Sequence, residues 1–144
     1  MYDGSVFQSI SVKDGFADRV EGIFQDSDDS IWLSADGNAY RYAPTIEPPG
    51  IRMLRVSTDR LHGPVTELRL NGLQERVLIE FEGVSFKTHP DDMAYVVRLL
   101  GRENSWRTVY ECDVEYEGLA PGEYRFEVMA VDRNLSYSQA PAIL

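Results

Sequence analysis

The chain has 144 residues, enough for one domain or for a small element followed by a domain of about 100 residues. It is 43% hydrophobic and 26% charged, an ordinary globular composition, and no apolar run approaches the ~20 residues of a membrane helix. The net charge of -10 is spread along the chain, so no basic patch offers itself to nucleic acid and the acidity serves solubility. Nothing near Met1 reads as a signal peptide. Cys112 is the only cysteine, which excludes an intrachain disulfide and a thiolate metal cluster.

In chain order, residues 20–26, 30–34 and 39–43 read as three short strands. Asp28-Asp29 and Asp36-Gly37-Asn38 supply the turns between them, with Asp29 and Asn38 at positions that favour positive φ. PTIEPPG, residues 44–50, follows. Its three prolines deny ladder donors and stiffen the chain, so a boundary is expected there, with residues 1–45 before it, a linker at 46–50 and residues 51–144 after it.

Beyond the linker nearly every apolar pattern has period two. Strands are expected at 51–58, 65–70, 75–86, 94–101, 108–117, 123–132 and 136–143. Thr66, Leu68 and Leu70 read as inward, as do Val77, Ile79 and Phe81. Gly83 marks a change of phase, with a bulge or bend that turns Val84 and Phe86 inward. Tyr110, Cys112, Val114 and Tyr116 share one face, which makes Cys112 a buried small hydrophobe. Tyr124, Phe126, Val128 and Ala130 face inward against Glu123, Arg125 and Glu127. About seven strands at this spacing, each with one wet face, suit an antiparallel β-sandwich. No amphipathic helix is evident.

Two segments resemble known families. Asp14-Gly15-Phe16, the Asp26–Asp29 turn, Ile31-Trp32-Leu33 and Tyr40-Arg41-Tyr42 follow the order of the regulator-propeller repeat of large bacterial sensors, with Ser34-Ala35 in place of its usual Gly-Thr. Tyr2-Asp3-Gly4 and Phe7 read like the end of a preceding copy. Tyr95, Arg98, Leu99, Gly101, Trp106, Tyr116, Leu119, Pro121, Gly122 and Tyr124 resemble the three-tyrosine (Y_Y_Y) domain over about residues 51–142. Val97 departs from that pattern, holding the place of its second tyrosine. The resemblances imply an all-β chain: one β-propeller-type blade, then an immunoglobulin/fibronectin-III-like β-sandwich.

They also imply a function, that of a non-catalytic extracytoplasmic, periplasmic fragment of a two-component sensor. An upstream propeller would take a ligand, often a carbohydrate. The sandwich would pass its detection to a membrane helix and a cytoplasmic kinase or cyclase. A carbohydrate-binding accessory module of a secreted polysaccharide-degrading enzyme is the alternative, and it calls for an exposed row of aromatics.

The residues themselves read as packing. Trp32, Tyr40 and Tyr42 suit contacts between blades, and Tyr95, Trp106, Tyr116 and Tyr124 an inward face. Tyr124 is the candidate for a tyrosine corner, its hydroxyl returning to upstream backbone. His62 and His89 lie apart without a second ligand at metal spacing, and Asp26–Asp29 lacks the glycine and distal glutamate of a calcium loop. No phosphate loop, nucleophile elbow or Ser-His-Asp order appears, so no catalytic, cofactor or metal site is expected. A lone blade exposes sheet edges, so self-association is expected.

Overall fold

The computed structural model describes residues 1–10, 15, 19–44, 47–70 and 74–144, with the side chains of Gln74 and Glu75 excepted. Asp14 and Phe16 of the Asp-Gly-Phe motif lie outside the described residues, as do Thr45 and Ile46 of the PTIEPPG stretch. Among the described residues the fold is all-β, in three antiparallel sheets, with one 3-10 turn at Pro90–Asp92.

The first sheet is a three-stranded meander, β1 (Val20–Gln25), β2 (Ile31–Ala35) and β3 (Asn38–Tyr42), in that order. Two residues close β2 onto β3, with Asp36 at φ 50° and Gly37 at φ 72°. Positive φ at both central positions matches the right-handed strand twist, and Asp-Gly is the pair that tolerates it. Asn38 therefore already sits in β3, opposite Ala35, rather than taking the left-handed place expected of it. Asp29 does take one, at φ 63°. In the same turn the Asp28 carboxylate accepts from the Ser30 N–H and hydroxyl and from Arg41.

The remaining strands are β4 (Gly50–Ser57), β5 (Leu61–His62), β6 (Gln74–Val84), β7 (Ala94–Leu100), β8 (Arg107–Val109), β9 (Asp113–Leu119), β10 (Arg125–Val131) and β11 (Ala142–Ile143). They form two four-stranded sheets, β5-β4-β6-β9 and β11-β10-β7-β8. Between the sheets lies a core that includes Val56, Ile79, Phe81, Tyr95, Val97, Tyr116, Phe126 and Val128. Phe81 anchors it, edge-on to Tyr95 at 5.0 Å and stacked on Phe126 at 6.0 Å, geometries that aromatic quadrupoles favour.

Several expectations are corrected. Residues 65–70 form no strand, and Thr66 is exposed while Leu68 and Leu70 pack half-buried on the core. The segment 108–117 is two strands, β8 and β9, which belong to different sheets. The chain crosses over through a bend at 110–112, so alternation does not carry across it. Tyr110 and Cys112 are exposed. Of 136–143, only Ala142–Ile143 is strand, with an isolated bridge from Tyr137 to Val131.

Gly83 does not change the phase of β6. It continues the inward row of Val77, Ile79 and Phe81, so Val84 and Phe86 turn outward, Phe86 to 99% exposure. A Cβ there would stand 2.7 Å from Met93 Cε and 3.2 Å from both Ala130 Cβ and the Tyr95 ring. The glycine is thus a core position where neighbours occupy the side-chain space. The register shift of this sheet lies on β4, between Met53 and Arg55.

The two outer faces differ. On β5-β4-β6-β9, the pairs Arg52–Glu82, Arg55–Glu80 and Arg76–Glu115 make a solvated cross-strand ladder. On β11-β10-β7-β8, Ala94, Val96 and Val131 form a second small core that Val6 closes. Residues 1–8 fold back on themselves through a Tyr2–Phe7 bridge and lie against this face.

Candidate functional site

The residues singled out by the sequence fall into three places. The first is the end of the sandwich where β9 leads into β10. Leu119 closes β9 half-buried, while Ala120, Pro121 and Gly122 form the exposed corner. The Tyr124 hydroxyl donates to the Ala120 carbonyl at 3.0 Å, and its ring lies 3.6 Å from where a Cβ on Gly122 would stand. Gly101, at φ 97°, lets the turn after β7 pass this corner, because a side chain there would meet the Glu123 carbonyl at 2.7 Å.

Tyr116 lies one layer inward, buried, with its hydroxyl donating to Glu103 Oε1 at 3.1 Å. The Arg102 and Arg107 guanidinium carbons stand 6.0 and 5.8 Å from its ring centroid. Burial first, and the Glu103 carboxylate with it, push the phenol up to about 12. Tyr95 is also buried, and its oxygen accepts from the Gly83 N–H at 3.1 Å. Burial raises its phenol too. Both rings belong to the packing between the two sheets.

The second place is the outer face beside β8. Trp106 is 37% exposed and lies outside the sandwich, which corrects its expected inward position. Arg98 covers one face of its indole, with the guanidinium carbon 4.4 Å from the ring centroid. Arg98 also donates to Glu127 Oε2 at 2.6 Å, and Arg125 to Glu127 Oε1 at 2.9 Å. The side chain of Glu127 is 5% exposed, so both arginines serve to keep a nearly buried carboxylate paired. Tyr110, 54% exposed, donates to the Phe7 carbonyl at 3.1 Å.

The third place is the meander and its contacts. Trp32 donates through Nε1 to Asp26 Oδ2 at 3.3 Å, with the Arg41 guanidinium 5.9 Å from its ring, and is partly exposed. Tyr42, at the end of β3, is half-buried and donates to Asn134 Oδ1 in the loop after β10. Residues 1–8 are held to the same region. Tyr137 donates to Asp3 Oδ2 at 2.5 Å, Thr108 to the Ser5 carbonyl at 2.8 Å and Gln8 to the Asp92 carbonyl at 3.2 Å. Burial opposes ionisation of Asp3, but hydrogen bonds from Tyr137, Val6 and Ser5 outweigh it and hold the carboxyl below its usual range.

With this geometry in view, likeness to solved structures becomes informative. The chain is similar to the extracellular domain of the hybrid two component system BT4673 of B. thetaiotaomicron, with a TM-score of 0.52 and 16% identity, over 88% of this chain and 20% of that one. It is similar also to the extracellular domain of the hybrid two component system BT3049 of the same organism, with a TM-score of 0.53 and 20% identity, over 85% of this chain and 19% of that one. The chain shares their fold. It spans about one fifth of their length. No family model and no curated protein matches it.

Among the described residues, no three His, Cys, Asp or Glu side chains gather as a metal site, and no helix is long and apolar enough to cross a membrane. His89 accepts from the Asp91 N–H at the 3-10 turn, and His62 lies 3.1 Å from the Thr58 hydroxyl, each apart from the aromatic groups. The arrangement can fix the relative position of sheets.

Sequence reasoning missed the loop from Asp132 to Tyr137. Alternation stops at Val131, and nothing in the letters signals that Asp132 is fully buried. The one available signal is composition: Asp-Arg-Asn is a turn-former cluster directly after an apolar strand.

Proposed function

We propose that this chain is a non-catalytic, periplasmic piece of a bacterial two-component sensor. Residues 1–45 are a propeller-blade remnant, the end of one repeat plus one blade, and residues 51–144 are a three-tyrosine, fibronectin-III-like sandwich. An upstream propeller takes the ligand, a carbohydrate by the family resemblance, and the sandwich relays its detection to a membrane helix and a cytoplasmic kinase or cyclase. The single observation that carries this is order: a three-stranded meander, a proline-rich connection and a sandwich with the Leu119–Tyr124 corner, in a fold shared with extracellular sensor domains. Packed sheets move as units, which suits a relay. The exposed Ile23 and Phe24 of β1 support self-association of the isolated chain.

The test is the reading frame beyond Leu144. It should encode a membrane-spanning helix followed by a kinase or cyclase domain. A frame that continues instead into a polysaccharide-degrading enzyme contradicts the proposal.

One observation favours that second reading. Trp106 and Tyr110 flank the two ends of β8 and are partly exposed, as is Phe7 beside Tyr110, and exposed aromatics are what a sugar-stacking surface needs. Glycan-array binding that disappears in Trp106→Ala would support the accessory-module reading, and a blank array would remove it.

A further inference from the structure

The loop Asp132–Tyr137 touches both pieces of chain that precede β4. Asn134 accepts from Tyr42 at the end of the meander, whereas Leu135 and Tyr137 pack against the small core that contains Val6, and Tyr137 donates to Asp3. Arg133 ties the loop to the 85–88 segment, its N–H donating to Thr88 Oγ1 at 3.2 Å and its guanidinium to the Lys87 carbonyl at 3.4 Å. All of this hangs directly from β10, the central strand of the β11-β10-β7-β8 sheet.

Asp132 shapes the loop from inside. It is fully buried, and its Oδ1 accepts from the N–H groups of both Asn134 and Ser136 at 2.8 Å. Its own N–H donates to the Ser136 carbonyl at 3.0 Å, and the Leu135 N–H donates to the Asp132 carbonyl at 3.1 Å. Leu135 is thereby held at φ 61°, a conformation non-glycine residues seldom adopt. Oδ2 is buried with no hydrogen-bond partner. A strained backbone and an orphaned buried oxygen at one loop persist only where the surroundings over-determine them, and such features gather where position matters to function.

We propose that the Asp132–Tyr137 loop is the joint that couples the meander and the 1–8 segment to the β11-β10-β7-β8 sheet, with Asp132 as its positioning residue. This deepens the relay reading and rests on it. The Asp132 carboxylate fixes the backbone at Asn134 and Ser136 and its carbonyl holds Leu135 between them, so the meander and the 1–8 segment are registered against the sheet together rather than separately. A displacement of either one reaches β10 through the same six-residue loop.

Hydrogen exchange of this chain by mass spectrometry tests the joint without reference to any signal. Asp132→Ala should speed exchange at 31–42 and at 1–8 together, by about three- to tenfold, while Val77–Phe81 of the opposite sheet keeps its protection. Asp132→Asn, which keeps an Oδ1 acceptor, should restore most of that protection. Tyr42→Phe should loosen 31–42 alone, and Tyr137→Phe residues 1–8 alone. Unchanged exchange upstream in Asp132→Ala, or an equal loss of protection across both sheets, overturns the joint. So does full loosening of both pieces by Tyr42→Phe alone, which keeps the inference testable should Asp132→Ala not fold. These outcomes hold whatever the reading frame encodes, so the joint and the sensor reading can fail independently.

Discussion

Arg98 lies between Trp106 and Glu127, its guanidinium carbon 4.4 Å from the indole centroid while its Nε donates to Glu127 Oε2 at 2.6 Å. One side chain thus covers an aromatic ring on the outside of the sheet and satisfies a carboxylate that is nearly out of water. Glu127→Ala leaves Arg98 without its carboxylate under the indole. A loss of about 1–3 kcal/mol in urea unfolding is expected, at the low end because Arg125 and Arg98 retain some solvent. Trp106→Ala should cost about 1 kcal/mol, since the ring is partly exposed.

The corner gives a second prediction. Tyr124→Phe removes only the hydroxyl that donates to the Ala120 carbonyl. Because Ala120 is exposed, water can take over its carbonyl, so the expected destabilisation is about 0.5–1 kcal/mol by denaturant titration.

At Gly83 the prediction is steric. Gly83→Ala would push a methyl against Met93, Tyr95 and Ala130. Met93 can swing away, but the tyrosine ring and the backbone under Ala130 cannot, so a loss of about 1–3 kcal/mol is expected from thermal unfolding. A neutral result would mean β6 and β7 separate more easily than their packing indicates.

This glycine also shows where sequence reading reaches its limit. The alternation Val77, Ile79, Phe81 was legible because one face of β6 is dry, and so was the all-β character of the chain. The inward placement of Gly83 was hidden because a residue without a side chain carries no polarity signal. Period two also fails across turns. Carrying it from Val114 back to Tyr110 and Cys112 passes over the bend where the chain changes sheets. Trp106, just before β8, falls on the outer face for a related reason: hydrophobicity cannot distinguish a core indole from one covered by an arginine. Val6, beside Phe7 in a stretch too short for any period to show, gave no sign that it caps the second core.

Two titrations should be visible in stability. Burial raises the Asp132 carboxyl above its ordinary value of 3.8, against hydrogen bonds from Ser136 and Asn134 and the charge of Lys87. A folded value above the unfolded one means that the native state holds the proton longer. This contribution is therefore fully present below pH 3.8 and is lost as pH rises through the folded value. Asp132→Asn should flatten that part of the profile. Tyr116 acts at the alkaline end, where stability should fall between its ordinary value of 10.0 and about 12. The phenolate absorbance of Tyr116 should appear with unfolding rather than before it, as comparison with Tyr116→Phe would show.

Self-association is expected to follow the meander. Ile23 and Phe24 are 71% and 64% exposed on β1, the edge strand of its sheet. Sedimentation should give a concentration-dependent increase in mass that Ile23→Lys reduces. A strict monomer at all concentrations would contradict this.

The most direct measurement is ligand-dependent output from a membrane-anchored sensor of the kind proposed above, comparing wild type with a variant carrying both Tyr42→Phe and Tyr137→Phe. The Tyr42 hydroxyl ends on the Asp132–Tyr137 loop and the Tyr137 hydroxyl leaves from it. The relay account predicts unchanged basal output with most of the ligand response lost. A full response in the double variant would contradict transmission through the sandwich.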